Sequence, residues 1–184
     1  MVVLKAILLG IVEGLTEFLP ISSTGHLILV ESYLEMGLTD GFTTTFQVAI
    51  QLPAILAVVI YFWPRLNPWP RNAERRTRNW RLYPKIVVAV LPAVVLGLLF
   101  DDFIEAHLMR PLPVAIALFV GGVVLILIER GRREARVDSL EDLGYLTALA
   151  IGFFQCLAML PGTSRSAATI IGAMLLGASR PVAA

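Results

Sequence analysis

Residues 42–63 carry no charged side chain, and their 22 positions make about 33 Å of helix, enough to cross a bilayer. Two further apolar runs, residues 84–100 and 112–129, make about 25 and 27 Å and span once a residue or two of flank is added. Pro53 and Pro92 fall inside these spans, where membrane helices tolerate proline better than soluble ones do. The pattern therefore predicts three full transmembrane helices between residues 42 and 129.

Two other segments alternate differently. Residues 4–19 are apolar enough for about 24 Å of helix before Pro20, the polar run Ser22–His26 follows, and residues 27–30 resume an apolar pattern. Residues 144–160 behave likewise, with Pro161 and a polar run after them and then Ala167–Ala178. Each reads as helix, break, helix. Such a re-entrant hairpin keeps irregular backbone at membrane depth because that backbone lines a cavity. The expected fold is all-α and integral to the membrane, a single domain over 1–184. Residues 1–41 form the first hairpin and an external loop, 42–129 the spans, and 144–180 the second hairpin.

Composition agrees. Hydrophobic residues make up 57% of the 184, charged residues 16%, and mean hydropathy is +0.78, against about 45–50% and 25% in a soluble domain. A net charge of +1 and the lack of a basic stripe interleaved with aromatics point away from nucleic acid. The single cysteine, Cys156, reads as a small core residue. The acid Glu13 within the first apolar stretch argues against a cleavable signal peptide.

Charge also orients the spans. Arg65, Arg71, Arg75, Arg76, Arg78, Arg81 and Lys85 face one acid, Glu74, between Pro64 and Lys85, so that loop is expected in the cytoplasm. The stretch 101–111 with Asp101, Asp102 and Glu105 reads as external, and Arg130, Arg132, Arg133 and Arg136 bring the next loop back inside. Tyr61, Trp63, Trp69, Trp80 and Tyr83 form an aromatic belt at one end of the first two spans. The arginine-rich loop is read as a topology determinant, with anionic lipid binding as the other use of such a cluster.

With three spans between them, the hairpins enter from opposite sides. They also resemble each other: Gly10-Ile-Val-Glu13 then Leu19-Pro20-Ile-Ser22-Ser23 parallels Gly152-Phe-Phe-Gln155 then Leu160-Pro161-Gly-Thr163-Ser164. The offset is 142 residues at the glycine and 141 at the proline. This is the signature of an inverted-topology repeat with its polar breaks meeting near the midplane.

The polar breaks hold the candidate chemistry. Placing one charge at membrane depth costs about 2.5–3.5 kcal/mol even on the lenient scale, so groups kept there are candidates for function. Glu13 and Glu17, four apart on one helical face, lie about 5–6 Å from each other; two such carboxylates share a proton or a cation. Ser22, Ser23 and Thr24 sit where a helix restarts, able to cap it and to cradle an anion with its backbone N–H groups. An imidazole at His26 can attack phosphorus or shuttle a proton. Arg165, between Ser164 and Ser166, offers a planar fork to phosphate oxygens, and the Pro-Gly turn before it and apolar residues after it leave little route to water.

With these residues in hand, the chain closely resembles the bacterial undecaprenyl-pyrophosphate phosphatases of the bacitracin-resistance type, from about Ile7 to Arg180. The resemblance rests on Glu13-Gly-Leu-Thr-Glu17-Phe-Leu-Pro20, Ser22-Ser23-Thr24-Gly25-His26, Thr45-Phe46 to Gln51, and Pro161-Gly-Thr-Ser164-Arg165-Ser166. It implies a multi-pass enzyme of the bacterial inner membrane, its site open to the extracytoplasmic side. The substrate would be a C55 polyprenyl diphosphate, which loses its terminal phosphate to regenerate the carrier lipid of cell-wall synthesis and confer bacitracin resistance. A divalent cation, magnesium first and calcium as the alternative, is implied with Glu13 and Glu17 as its ligands. The resemblance assigns Glu17, Ser23, His26 and Arg165 to catalysis, and Ser22, Thr24, Ser164, Arg165 and Ser166 to the phosphate. It leaves open whether Ser23 or His26 is the nucleophile.

Two departures stand out. The family usually has glycine where this chain has Ala167, which is strained if φ is positive there and harmless if the position is helical. Family members also continue for about three more apolar segments past Pro181-Val-Ala-Ala184, so a fragment with a truncated second repeat is expected. A polyprenyl-phosphate translocator is the competing reading, since inverted repeats with broken helices are transporter architecture, but it has no need of a paired acid beside a histidine. A type-2 phosphatidic-acid phosphatase is disfavoured: Thr24-Gly25-His26 echoes its motif, yet no histidine or acid follows Arg165.

Overall fold

A computed structural model describes residues 2–34, 40–108, 110–131 and 135–184. In chain order the helices are α1 (Val2–Thr16), α2 (Ser23–Leu34), α3 (Asp40–Tyr61), α4 (Trp63–Leu66), α5 (Ala73–Leu108), α6 (Pro111–Arg130), α7 (Tyr145–Cys156), α8 (Arg165–Leu175) and α9 (Arg180–Ala183), with a 3₁₀ turn at Leu157–Met159. Among the described residues there is no strand, only one isolated bridge between Val137 and Ala178. Three helices are long and apolar enough to span: Gly41–Tyr61, Ala73–Phe100 and Pro111–Arg130. Their apolar side chains, Leu98 and Leu127 among them, are largely exposed, as lipid-facing residues are.

The second span is longer than its apolar run. Helix α5 has 36 residues, about 54 Å at 1.5 Å per residue, against a hydrocarbon core of about 30 Å. Residues 73–85 of the expected arginine-rich loop are therefore its first turns, and residues 101–108 of the expected acidic loop its last. The cause is local. Asn72 Oδ1 accepts from the backbone N–H of Glu74 (2.8 Å) and Arg75 (3.2 Å), capping the helix, and Glu74 complements the dipole in its first turn. Charged residues of good helix propensity then continue it outside the membrane. Residues 35–39 of the loop expected after the first hairpin, and Arg132, Arg133 and Glu134 of the later one, lie outside the described residues.

Packing between helices relies on small residues, as expected where lipid removes the hydrophobic drive for association. Helix α7 lies along α5, and a Cβ on Gly152 would come within 2.2 Å of the Ala89 carbonyl oxygen. Helix α8 folds back on α7, with Gly172 against the Phe154 ring. Helix α1 pairs with α2 through the fully buried Leu9 and Leu27, which Val12, Val30, Phe46 and Ile50 surround. Helix α6 touches both α2 and α8 and so bridges the two helical pairs.

Both pairs turn in the same manner. Chain leaves α1 through a turn at residues 17–21, and Ser22 caps α2; chain leaves α7 through the 3₁₀ turn and Pro161-Gly162, and Ser164 caps α8. Helix therefore restarts earlier than the polar runs suggest: Ser23–His26 and Arg165–Ser166 are first helical turns rather than irregular backbone.

Candidate functional site

The first cluster forms where α1 ends. Glu13 lies in the last turn of α1, and Glu17 follows one residue past its end, its N–H donating to the Glu13 carbonyl at 2.9 Å. Helical spacing thus carries through both acids and keeps them on one face. Glu13 is 1% exposed, and neither carboxylate oxygen has a hydrogen-bond partner. A solvated acidic face is thereby excluded for this residue.

Across the turn, Ser23 is buried and its hydroxyl donates a short hydrogen bond to Glu17 Oε2. Ser23 can reach back because the turn reverses within six residues, and Ser22 makes that reversal possible. It has φ +66, the only non-glycine residue with positive φ among the described residues. An L-residue tolerates the left-handed region only when its surroundings hold it there, and such positions gather at functional sites. Here Ser22 Oγ accepts from the Gly25 N–H (3.3 Å), and its carbonyl accepts from the His26 N–H (3.2 Å). No sequence signal marks this position, since serine is not a residue expected at positive φ.

The Ser22 carbonyl also lies 2.8 Å from His26 Nδ1. A carbonyl only accepts, so Nδ1 carries the hydrogen and the lone pair of a neutral imidazole is at Nε2. Half-buried, His26 lines a largely apolar cavity of about 1000 Å³ whose walls include Pro20, Ile21, Thr163, Ser164 and the α6 residues Ile116 and Val120.

The second pair of helices supplies the rest of that wall. Ser164 Oγ accepts from the Ala167 N–H (3.2 Å) and lies 3.0 Å from Ser166 Oγ. Its offset from Ser22 is 142 residues, as between Gly10 and Gly152 but one more than between Pro20 and Pro161, so the two caps sit one residue out of the pairing of Ser23 with Ser164 read from the sequence. Ala167 is helical, so its difference from the family's glycine carries no backbone strain. Arg165 opens α8 with an exposed side chain, which corrects the expectation that it has little route to water. It is the first residue of α8, with Ser164 as the cap before it, so its side chain stands at the end of the helix, ahead of the buried Ala168 and Ile171. Its guanidinium has no hydrogen-bond or ionic partner among the described residues, and Ser166 beside it is likewise exposed. Thr24 is half-buried.

The two polar turns touch. A Cβ on Gly25 would lie 3.0 Å from the Gly162 Cα, and one on Gly162, at φ +94, would lie 2.5 Å from the Val114 carbonyl oxygen. Glu13, Glu17 and Ser23 thus make one polar cluster, while His26, Thr163 and Ser164 share the adjoining cavity.

The donors suit a hard cation. Two carboxylates and a hydroxyl are oxygen donors of the kind magnesium and calcium take, and the unpartnered Glu13 oxygens are orphaned without a proton or an ion. No group of three His, Cys, Asp or Glu side chains able to hold a metal occurs among the described residues.

Residues 6–184 match the family described as bacitracin resistance protein BacA. The undecaprenyl-diphosphatase of Limosilactobacillus fermentum is 51% identical over 186 residues, which cover 99% of this chain and 67% of that protein. That of Enterococcus faecalis is 51% identical over 183 residues, 97% of this chain and 66% of the relative. A third, undecaprenyl-diphosphatase 1 of Oenococcus oeni, is 49% identical over 186 residues, 99% and 67%. The chain spans about two thirds of the length of these relatives.

Proposed function

The chain belongs to the BacA family, and on that premise we propose that it carries the catalytic machinery of a membrane phosphatase that hydrolyses undecaprenyl diphosphate to undecaprenyl phosphate and inorganic phosphate. That reaction recycles the cell-wall carrier lipid and underlies resistance to bacitracin. The observation that carries the chemistry is the Ser23 hydroxyl bonded to Glu17 beside the orphaned Glu13. A nucleophile hydrogen-bonded to a base is the arrangement that phosphoryl transfer to a side chain requires.

Glu17 accepts the Ser23 proton as Ser23 Oγ bonds to the terminal phosphorus and the bridging P–O bond breaks, releasing undecaprenyl phosphate. Water then loses a proton to His26 Nε2 and displaces Ser23 Oγ from phosphorus, freeing inorganic phosphate while Glu17 returns its proton to Ser23. His26 Nε2 is available for this because Nδ1 is committed to the Ser22 carbonyl. Arg165, with Ser164, Ser166, Ser22 and Thr24, receives the phosphate oxygens; a free guanidinium and paired hydroxyls at a helix start favour an anion. A divalent cation held by Glu13 and Glu17, magnesium or calcium, would neutralise charge on the substrate oxygens.

The matched caps at Ser22 and Ser164, set 142 residues apart, support two re-entrant hairpins related as an inverted repeat. Charge asymmetry supports an inner-membrane protein with its arginine-rich ends in the cytoplasm and the site opening to the other side. Phosphate release from polyprenyl diphosphate by the purified protein, with and without chelator, tests the reading. Release that depends on a divalent ion supports it, and no release in the presence of magnesium or calcium overturns it.

A further inference from the structure

A second pocket, of about 650 Å³, lies at the arginine-rich end of the molecule, apart from the polar turns. Four basic residues line it, Arg65, Arg78, Arg81 and Lys85, against two acids, Asp138 and Glu141. Arg78, Arg81 and Lys85 fall at helical spacing and so share one face of α5. Arg65 comes from α4, on the opposite wall, and its position is fixed. The buried Asn79 side chain donates to the Pro64 carbonyl (3.3 Å) and the Asn67 carbonyl (2.7 Å), and the Tyr83 hydroxyl donates to the Leu66 carbonyl. The third wall is segment 138–141, which Lys85 Nζ holds by donating to the carbonyls of Leu140 (2.9 Å) and Glu141 (2.8 Å).

The cations divide into two groups. Lys85 is committed to those carbonyls, and Arg78 Nε lies 3.7 Å from Glu141 Oε1. Arg65 and Arg81 have no acceptor among the described residues, Arg65 resting only above the Phe62 ring at 6.0 Å. Two guanidinium forks with no acceptor therefore face one pocket built by a buried polar residue. Its depth is that of lipid headgroups: the apolar run of α5 begins one residue after Lys85, and the exposed Trp80 and Tyr145 flank it as interfacial aromatics.

We propose that this pocket binds the phosphate of an anionic phospholipid, with Arg65 and Arg81 as its ligands. Bidentate guanidinium contacts suit a phosphodiester, and a membrane surface supplies one at this level without a soluble ligand having to be captured. The inference stands apart from the hydrolytic site and does not depend on it.

The chain's three tryptophans, Trp63, Trp69 and Trp80, all lie at this end, so intrinsic fluorescence reports on it selectively. The test reconstitutes the protein in phosphatidylcholine vesicles carrying a minor fraction of phosphatidylglycerol brominated near the headgroup end of its chains, and compares quenching with brominated phosphatidylcholine at equal fraction. Roughly fivefold enrichment of the anionic lipid is expected, the factor one basic residue gives near an anionic surface. Arg65→Gln with Arg81→Gln should reduce quenching to the phosphatidylcholine level, whereas Arg75→Gln with Arg76→Gln, in the same charged stretch but outside the pocket, should leave the enrichment in place. Equal quenching by the two lipids overturns the proposal, as does enrichment that survives in the first double variant or vanishes equally in the second. A response of Trp emission to glycerol phosphate, without lipid enrichment, overturns the lipid as the source of the phosphate.

Discussion

Ser23 donates its hydroxyl hydrogen to Glu17 across the turn that separates α1 from α2, so a buried hydroxyl and a carboxylate are already paired, the pair proposed above as nucleophile and base. Ser23→Ala removes the attacking oxygen and Glu17→Gln keeps an acceptor but cannot take the proton. Each should lower turnover by about 10²-fold or more, the scale of lost general-base catalysis, with a smaller effect on KM. Phosphate release retained above a third of the wild-type rate in either variant would show that this pair is not the catalytic one.

The nucleophile itself can be read from the chemistry of a trapped intermediate. If Ser23 attacks, rapid quenching of the enzyme with phosphate-labelled substrate yields a phosphoryl group that survives acid, as a phosphate ester does. A phosphoramidate on His26 would be lost in acid and kept in alkali. His26→Ala should let the acid-stable species accumulate, because its Nε2 is assigned to the water step and Nδ1 is held by the Ser22 carbonyl. An acid-labile species alone would transfer the role to His26.

How much of this was legible depended on whether a feature is local. The three spans follow from runs of apolar residues long enough for a bilayer, and the paired acids and the capping serines from helical spacing and from side chains suited to helix starts. The length of α5 was not, because residues 73–83 are charged and carry no lipid-facing pattern; what makes them helical is the Asn72 cap and their own propensity. Exposure of Arg165 was missed because apolar residues follow within two positions of it, whereas what sets its exposure is its place as the first residue of α8, at the end of the helix. Positive φ at Ser22 and the contact of Gly25 with Gly162 are tertiary facts, and residue type announces neither.

Glu13 is buried with both carboxylate oxygens unpartnered, which is costly unless a proton or an ion joins them. In chelator, Glu13→Gln should unfold at a temperature no lower than the wild type. Magnesium or calcium should then raise the wild-type midpoint by several degrees, since a ligand at about a hundred times its Kd adds about 2.7 kcal/mol. Most of that gain should be missing in the variant, and the ion concentration for half-maximal activity should rise. Equal stabilisation of both proteins would place the cation elsewhere.

Orientation is tested by cysteine labelling in a Cys156→Ser background. Arg76→Cys and Arg136→Cys should react with an impermeant reagent only from the cytoplasm, and Asp102→Cys only from outside, because arginine-rich stretches resist translocation. Reaction of all three from one side would be incompatible with three alternating spans, and with the opposed entry of the two hairpins.

Gly162 is where the second turn meets both the first turn and α6, and it has no room for a side chain. Its φ is +94, and a Cβ there would stand 2.5 Å from the carbonyl oxygen of Val114, the one buried residue of α6. Gly162→Ala therefore combines left-handed strain with a clash that no rotamer relieves, and should cost about 1–3 kcal/mol, lowering the unfolding midpoint in detergent. Gly25→Ala meets the Gly162 Cα at 3.0 Å and the Leu118 side chain at 3.2 Å, so a shift of a few tenths of an ångström accommodates it and the loss should be smaller. That shift falls between Ser22 and His26, however, and should cost activity out of proportion to stability. Gly10→Ala, with nothing within 4 Å of its Cβ, is the control and should change neither. Were Gly162→Ala as stable and as active as Gly10→Ala, the two polar turns could not be in the contact that brings His26 and Ser164 to one cavity.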